Sequence, residues 1–272
     1  MRALDKGPAV LSPPARRFPA VSPGVLRWIA SFAIAIALWE LSARLFVANN
    51  LFFAPLSSVA LRAVELWGTG ELQTHIWVSF VEFAGGFVLA VVVGILLGIV
   101  LAESTLVRGL VDPWISMLYA TPIIALGPLF ILWLGIGVAS KIAIVFLTAV
   151  FPILINTVAG LTNTDRTLIE VARSFGADAK QIYTKVRLPA SLPFIIAGLR
   201  LSVARALVGV VVAELFGARA GLGFLILNAA QAFDTAGLFV GVLALAIAGV
   251  ISVELLKWLE TALAPWRSLD DE

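Results

Sequence analysis

The chain has 272 residues, of which 61% are hydrophobic and 13% charged, with a mean hydropathy of +1.03. A water-soluble domain carries about 25% charged residues, so most of the apolar surface here must face lipid. The net charge of +2 leaves no nucleic-acid footprint, the absence of cysteine excludes disulfides and thiol chemistry, and a single histidine, His75, cannot build a metal site alone.

In chain order, residues 1–26 read as a basic, Pro-rich tail: Pro8, Pro13, Pro14, Pro19 and Pro23 oppose a helix, and Arg2, Lys6, Arg16 and Arg17 supply charge. The apolar run after Arg27 extends for about 20 residues, longer than the apolar part of a signal peptide, so a retained cytoplasmic tail is expected. A helix needs about 20 apolar residues to cross roughly 30 Å of hydrocarbon. Six stretches qualify: Trp28 to Val47, Ile76 to Leu101, Trp114 to Leu134, Ile142 to Leu161, Leu192 to Phe216 and Ala236 to Trp258. None shows the short alternating pattern of a membrane β-strand, so an all-α integral membrane protein is expected. With the N-terminus inside, 13 of the 19 Lys and Arg residues fall on the cytoplasmic side, while the outer side keeps Arg44, Arg62, Lys141 and Arg219. That bias predicts both termini in the cytoplasm.

Three connections carry information. Residues 135–141 are too few for anything but an antiparallel hairpin between the third and fourth spans. Leu56 to Trp67, with Ser57 or Ser58 as N-cap, predicts a helix lying on the outer surface. The segment 162–191, on the cytoplasmic side, holds basic residues yet keeps regular apolar spacing. Thr167 and Glu170 predict a capping box, a short helix should run through Val171, Ala172 and Phe175, and Gly176 should end it. A second short helix is expected from Asp178 to Arg187, stopped by Pro189.

Glu170-Val171-Ala172, three residues, Gly176, nine residues, Val186, one residue and Leu188-Pro189 resemble the EAA loop of binding-protein-dependent ABC importer permeases. The family pattern has Ala and Ile where this chain has Val171 and Val186. Leu132-Trp133-Leu134-Gly135-Ile136-Gly137, Lys141-Ile142, Leu188-Pro189-Ala190, Gly198-Leu199-Arg200, Ala213-Glu214 and Gly221-Leu222-Gly223 are similar to the nitrate/sulfonate/taurine branch. Met117 to Pro122 departs from that branch. The resemblance implies a type I permease bundle, N-in and C-in, in a bacterial inner membrane. It implies a permease domain over 27–262, a coupling loop at 162–191 and a C-terminal cytoplasmic tail at 263–272. It also implies that Glu170, Ala172, Gly176, Ala177, Leu188 and Pro189 form the interface with an ATPase subunit. Two permease copies, two ATP-binding-cassette subunits and an extracytoplasmic binding protein complete the implied machine.

Ionisable side chains inside a bilayer are costly and invite a functional reading. Glu40 and Arg44, four residues apart, suit a structural pair. Glu82, Arg200, Arg205 and Glu214 fall within spans, and with Gly221 and Gly223 they are the candidate pathway and gate residues. Arg200 and Glu214 match family positions. Glu82 and Arg205 do not, and two departures of opposite sign predict a compensating pair between the second and fifth spans; the rival reading has Arg200 or Arg205 attracting an anionic substrate. Ala213 to Phe224 is expected to shape an external gate, with the cavity lined by the third to fifth helices. Pro122, Gly127, Pro128 and Pro152 interrupt the third and fourth spans, whereas Gly94 and Gly98 read as a helix-packing motif.

No Gly-rich phosphate loop ending in Gly-Lys-Ser/Thr occurs, so this chain is not expected to be the ATP-hydrolysing motor. The resemblance implies that ATP and Mg belong to a partner subunit and that no cofactor or metal is bound by this chain. The expected substrate is a small anion such as a sulfonate, taurine, nitrate or bicarbonate. A pyrimidine- or flavin-type vitamin or precursor is the alternative. The rival class is an ion-driven secondary transporter using Glu82, Arg205 and Glu214 as a relay; no inverted repeat supports it.

Overall fold

The computed structural model describes residues 23–45 and 53–263, and these are helical with short connections. The expectations for the basic tail up to residue 22, for the end of the first span at Val47 and for residues 264–272 lie outside them. The tail expected over residues 1–26 is cut short, because Pro23 opens a helix, its missing N–H being harmless in a first turn. The helices are α1 Pro23–Leu45, α2 Leu56–Gly68, α3 Glu71–Glu103, α4 Thr105–Ala120, α5 Gly127–Leu134, α6 Val138–Thr162, α7 Arg166–Ser174, α8 Ala179–Ile182, α9 Leu188–Leu215, α10 Leu222–Gln231 and α11 Thr235–Leu263. Five segments are long and apolar enough to cross a membrane. A sixth crossing is reached if α4 and the Ile123–Leu134 segment count as one span.

That sixth crossing corrects the expected straight third span. The chain bends by 80° between Ala120 and Ile123. Pro122 has no N–H to continue the ladder of α4, one 3₁₀ turn covers Ile123–Leu126, and α5 restarts at Gly127-Pro128. Pro152 sits inside α6 without ending it.

The core is the trio α3, α6 and α9. In lipid, helices gain little from excluding apolar surface and associate through close packing instead. Gly86, Ala90, Gly94 and Gly98 recur every four residues and so share one face of α3. A Cβ on Gly86 would lie 2.5 Å from Cβ of Val145, one on Gly94 would lie 3.0 Å from Cβ of Ile153, and one on Gly98 would lie 2.6 Å from Cβ of Thr157. The Gly94–Gly98 motif is therefore the seam between α3 and α6. Across α6 and α9, Ser202 Oγ donates to the Ala149 carbonyl at 2.7 Å, and a Cβ on Gly198 would meet the Pro152 carbonyl oxygen at 3.0 Å.

At the end of the bundle away from α7, the chain builds a cap. Val59 and Leu66 of α2, Leu72 of α3, Leu222 and Leu225 of α10 and Val240 of α11 form a second buried cluster. α2 covers the stretch expected to be helical from Leu56 to Trp67, but its N-cap is Pro55, and neither Ser57 nor Ser58 caps it. Ser57 instead donates its hydroxyl to Glu40 Oε1 at 2.8 Å and its N–H to Glu40 Oε2 at 3.1 Å. Glu40 also holds Arg44 at 2.6 Å, the expected i, i+4 pair. These contacts, with Trp39 stacked on Phe53 and edge-on to Phe239, tie the end of α1 to the cap. Most of α1 lies uncovered in the single chain.

Candidate functional site

Chemistry gathers at the two ends of α9, which at about 1.5 Å per residue is a rod of about 42 Å.

At its start lies the loop that carries α7. Asp165, not Thr167, is the N-cap: its carboxylate accepts the Thr167 N–H at 2.8 Å, and the expected Thr167–Glu170 capping box does not form. The other end follows expectation. Gly176 has φ +79°, its N–H reaches the Arg173 carbonyl at 2.9 Å, and the Ala177 N–H reaches the Ala172 carbonyl at 3.0 Å. This paired closure requires a left-handed residue after the helix, which glycine adopts without steric cost. A true capping box does occur one helix later, where Asp178 and Gln181 exchange side-chain to backbone bonds.

The expected second short helix is corrected. α8 is one turn, a π-helical turn covers Tyr183–Arg187, and the chain runs without a break into α9. Pro189 falls in the first turn of α9, where a missing N–H is harmless, so it does not stop the helix. The helix that carries the fifth span is therefore continuous with the turns before it and starts ahead of Leu192.

Arg187 fixes this loop to the bundle. Its guanidinium lies 2.7 Å from Glu103 at the end of α3, donates to the Leu161 carbonyl of α6 at 3.1 Å, and sits over the Tyr183 ring. A cavity of about 540 Å³ lies beneath α7, with Arg166, Arg173 and Arg187 in its wall. α7 itself buries no residue. Leu168, Val171 and Phe175, at spacings three and four, leave an uncovered apolar stripe, with Phe175 86% exposed. Glu170 stands exposed beside them and has no partner among the described residues.

At the far end of α9, Glu214 is fully buried. Its carboxylate accepts from Ser79 Oγ of α3 and from the Gly223 N–H, both at 2.5 Å. Ser79 Oγ in turn accepts the Leu222 N–H at 2.7 Å, and His75 Nδ1 accepts the Gly221 N–H at 3.0 Å. Three consecutive N–H groups at the start of α10 are thus taken up by side chains of α3 and α9. A helix N-terminus offers its free N–H groups and a partial positive charge, and a carboxylate answers both. Gly221 has φ +126°, and a Cβ there would overlap the Glu214 carboxyl; a Cβ on Gly223 would come within 2.7 Å of the Val211 carbonyl oxygen. The Gly-Leu-Gly motif is what lets backbone approach the acid this closely.

Glu82, also fully buried, sits beside this group with Lys141 Nζ at 3.1 Å from Oε1. The expected Glu82–Arg205 pair is therefore not formed. Lys141, expected on the outer surface, turns inward from the first turn of α6.

Residues 90–268 match the family described as binding-protein-dependent transport system inner membrane component. The chain belongs to this family. It is 37% identical over 236 residues to the aliphatic sulfonates transport permease protein SsuC of Bacillus subtilis, covering 87% of this chain and 86% of that protein. It is 33% identical to the formylaminopyrimidine transport permease protein ThiX of Halalkalibacterium halodurans, covering 87% and 94%. It is 31% identical to the taurine transport system permease protein TauC of Escherichia coli, covering 88% and 89%. The fold matches the MetNI methionine ABC transporter in an inward-facing conformation, with a TM-score of 0.62 at 19% identity over 71% of this chain and 95% of that one. The protein is an ABC importer permease, a multi-pass transport subunit.

Of the six candidate pathway residues, the permease brings Glu82, Glu214, Gly221 and Gly223 together and leaves Arg200 and Arg205 apart. Arg200 pairs with Glu260 of α11 at 2.9 Å. Arg205 is exposed on α9, its guanidinium 5.9 Å from the centre of the Tyr119 ring. Sequence reasoning missed Ser79, His75 and Lys141 as partners of the buried acids, and Arg187 as the clamp of the loop. Only the spacing of His75, Ser79 and Glu82, three or four apart on α3, could have grouped part of this set.

Proposed function

We propose that this permease supplies half of a membrane pathway that imports a small anion of the sulfonate or taurine type, driven by a separate ATPase that docks on α7. The observation that carries this reading is the uncovered stripe Leu168, Val171 and Phe175 beside the Gly176 turn. A helix that buries nothing in its own chain has an apolar face in want of a partner. Glu170, Ala172, Gly176 and Ala177 surround that face, and Leu188 and Pro189 begin the rod that leaves it. Membership of a binding-protein-dependent family supports an ATPase and a delivering binding protein as partners, with a second permease copy completing the pathway. In this reading α7 faces the cytoplasm and the Ala213–Phe224 segment faces outward. Arg205, exposed in mid-α9, is the residue best suited to attract an anion.

Tagged permease expressed with its neighbouring transport genes should bring down a soluble ATPase, and Gly176→Trp or Phe175→Asp should abolish that capture while leaving the permease folded in detergent. Uptake in vesicles that follows a proton gradient and ignores ATP would end the importer reading. A formylaminopyrimidine-like substrate is the second reading, favoured by the similarity to ThiX. Calorimetry of sulfonates and pyrimidines against the cognate binding protein decides between the two.

A further inference from the structure

The capped end of the bundle holds three ionisable groups almost wholly withdrawn from solvent: Glu82 and Glu214 are 0% exposed and Lys141 is 7% exposed. Lys141 Nζ approaches Glu82 Oε1 at 3.1 Å. Glu82 stands on α3 three residues after Ser79, whose hydroxyl bonds Glu214, so the two acids share one buried pocket. Both oxygens of Glu214 receive donors, from Ser79 and Gly223. Neither oxygen of Glu82 receives a well-directed one.

The surrounding charges do not balance two carboxylates. From α3, His75 accepts the Gly221 N–H at Nδ1, so that nitrogen bears no proton and the ring is neutral; its Nε2 turns toward Glu71, which is half-exposed, at 3.6 Å. Lys141 is the sole charged residue of α6, and α10 has none. Arg200 and Arg205 of α9 are engaged elsewhere. Arg219, in the segment before α10, is exposed and makes no ion pair among the described residues. The start of α10 contributes a partial positive charge of about one half, and it acts on Glu214. Two carboxylates in one buried pocket, sharing one ammonium in a poorly polarisable interior, repel strongly. A proton on one of them removes the repulsion and gives the other a donor.

We propose that Glu82 and Glu214 hold a single proton between them. Glu214 is the anion that receives the N-terminus of α10, Glu82 is the acid that donates its O–H to Glu214, and Lys141 is the countercharge. Glu82 and Lys141 are then positioning residues, acting through Glu214 on the segment that joins α9 to α10. The inference rests on this cluster alone and stands whatever the substrate or the driving partner.

The test is infrared spectroscopy of the full-length permease in lipid nanodiscs at neutral pH. Wild-type protein should show a protonated-carboxyl C=O band that shifts on transfer to D2O. Glu82→Gln should remove it, because one carboxylate then faces one ammonium, and Glu214→Gln should remove it for the same reason. Any other pattern overturns the proposal, including a wild-type spectrum without the band or its survival in either variant. Thermal unfolding gives an independent reading. Glu82→Gln should melt at or above the wild-type temperature while Lys141→Met melts lower; an equal loss in both would mean that an ionised Glu82 is bound to Lys141, and the shared proton would be refuted.

Discussion

Single residues at both ends of α9 set how closely chain segments meet. Gly221 combines a left-handed φ with contact against the Glu214 carboxyl, so a methyl group there is opposed twice. Gly221→Ala should cost roughly 1–3 kcal/mol from backbone strain alone, seen as a lower melting temperature, and should cut uptake while ATPase capture by α7 persists. At the other end Arg187 touches α3, α6 and Tyr183 at once. Burial and the nearby Glu103 carboxylate push the Tyr183 hydroxyl above its ordinary value, while Arg187 pulls the other way. Replacing Arg187 by Met should leave ATP hydrolysis intact and lower uptake about two- to thirty-fold, the range that roughly 0.5–2 kcal/mol of coupling energy produces. If hydrolysis and uptake fall together, Arg187 serves the loop's folding rather than its coupling. Arg62, whose guanidinium is held above its ordinary value by Glu65 and Asp234, is a weaker case. It is over a third exposed, so Arg62→Ala should cost only about 0–1 kcal/mol in thermal unfolding.

Whole elements obey packing rather than propensity. Filling the α3 seam should be worse than trimming it: Gly98→Leu would force α3 from α6 and cost about 1–3 kcal/mol of overpacking, whereas Gly98→Ala should cost less. A thermal-shift comparison of the two variants checks this order. The spans and the Gly176 turn were legible because each depends on local facts, namely a run of apolar residues or a required backbone conformation. The elbow between α4 and α5 was only half legible: Pro122, Gly127 and Pro128 marked a break but could not give its angle, which depends on what α5 packs against. Pro189 misled because the same residue ends one helix and opens another, and only the π turn before it decides which. Lys141 misled for a different reason. A lysine at a helix start next to a loop reads as surface, and its burial follows from Glu82 on another helix, 59 positions earlier (141 − 82). Departure from the family pattern singled out Glu82 and Arg205, but could not say which cation the acid meets.

At the scale of the molecule, the loop that carries α7 and the buried Glu214 lie at opposite ends of α9. α9 thus joins that loop to the Gly221–Gly223 segment, which Glu214 near its last turn holds through the Gly223 N–H. Native mass spectrometry of the assembled transporter should return two copies of this chain; a single copy would contradict the half-pathway reading. Cross-linking offers an independent check of the packing, since the chain's lack of cysteine means that any engineered pair reports alone. The elbow at Thr121–Pro122 has one more effect. Straight helices keep their carbonyls shut away from lipid, but a corner of 80° interrupts the helical hydrogen-bond ladder between Ala120 and Ile123. Such a break is tolerated inside a bilayer only where water or protein meets the freed backbone groups, so Thr121 and Pro122 should turn toward protein or a wet cavity rather than toward lipid chains.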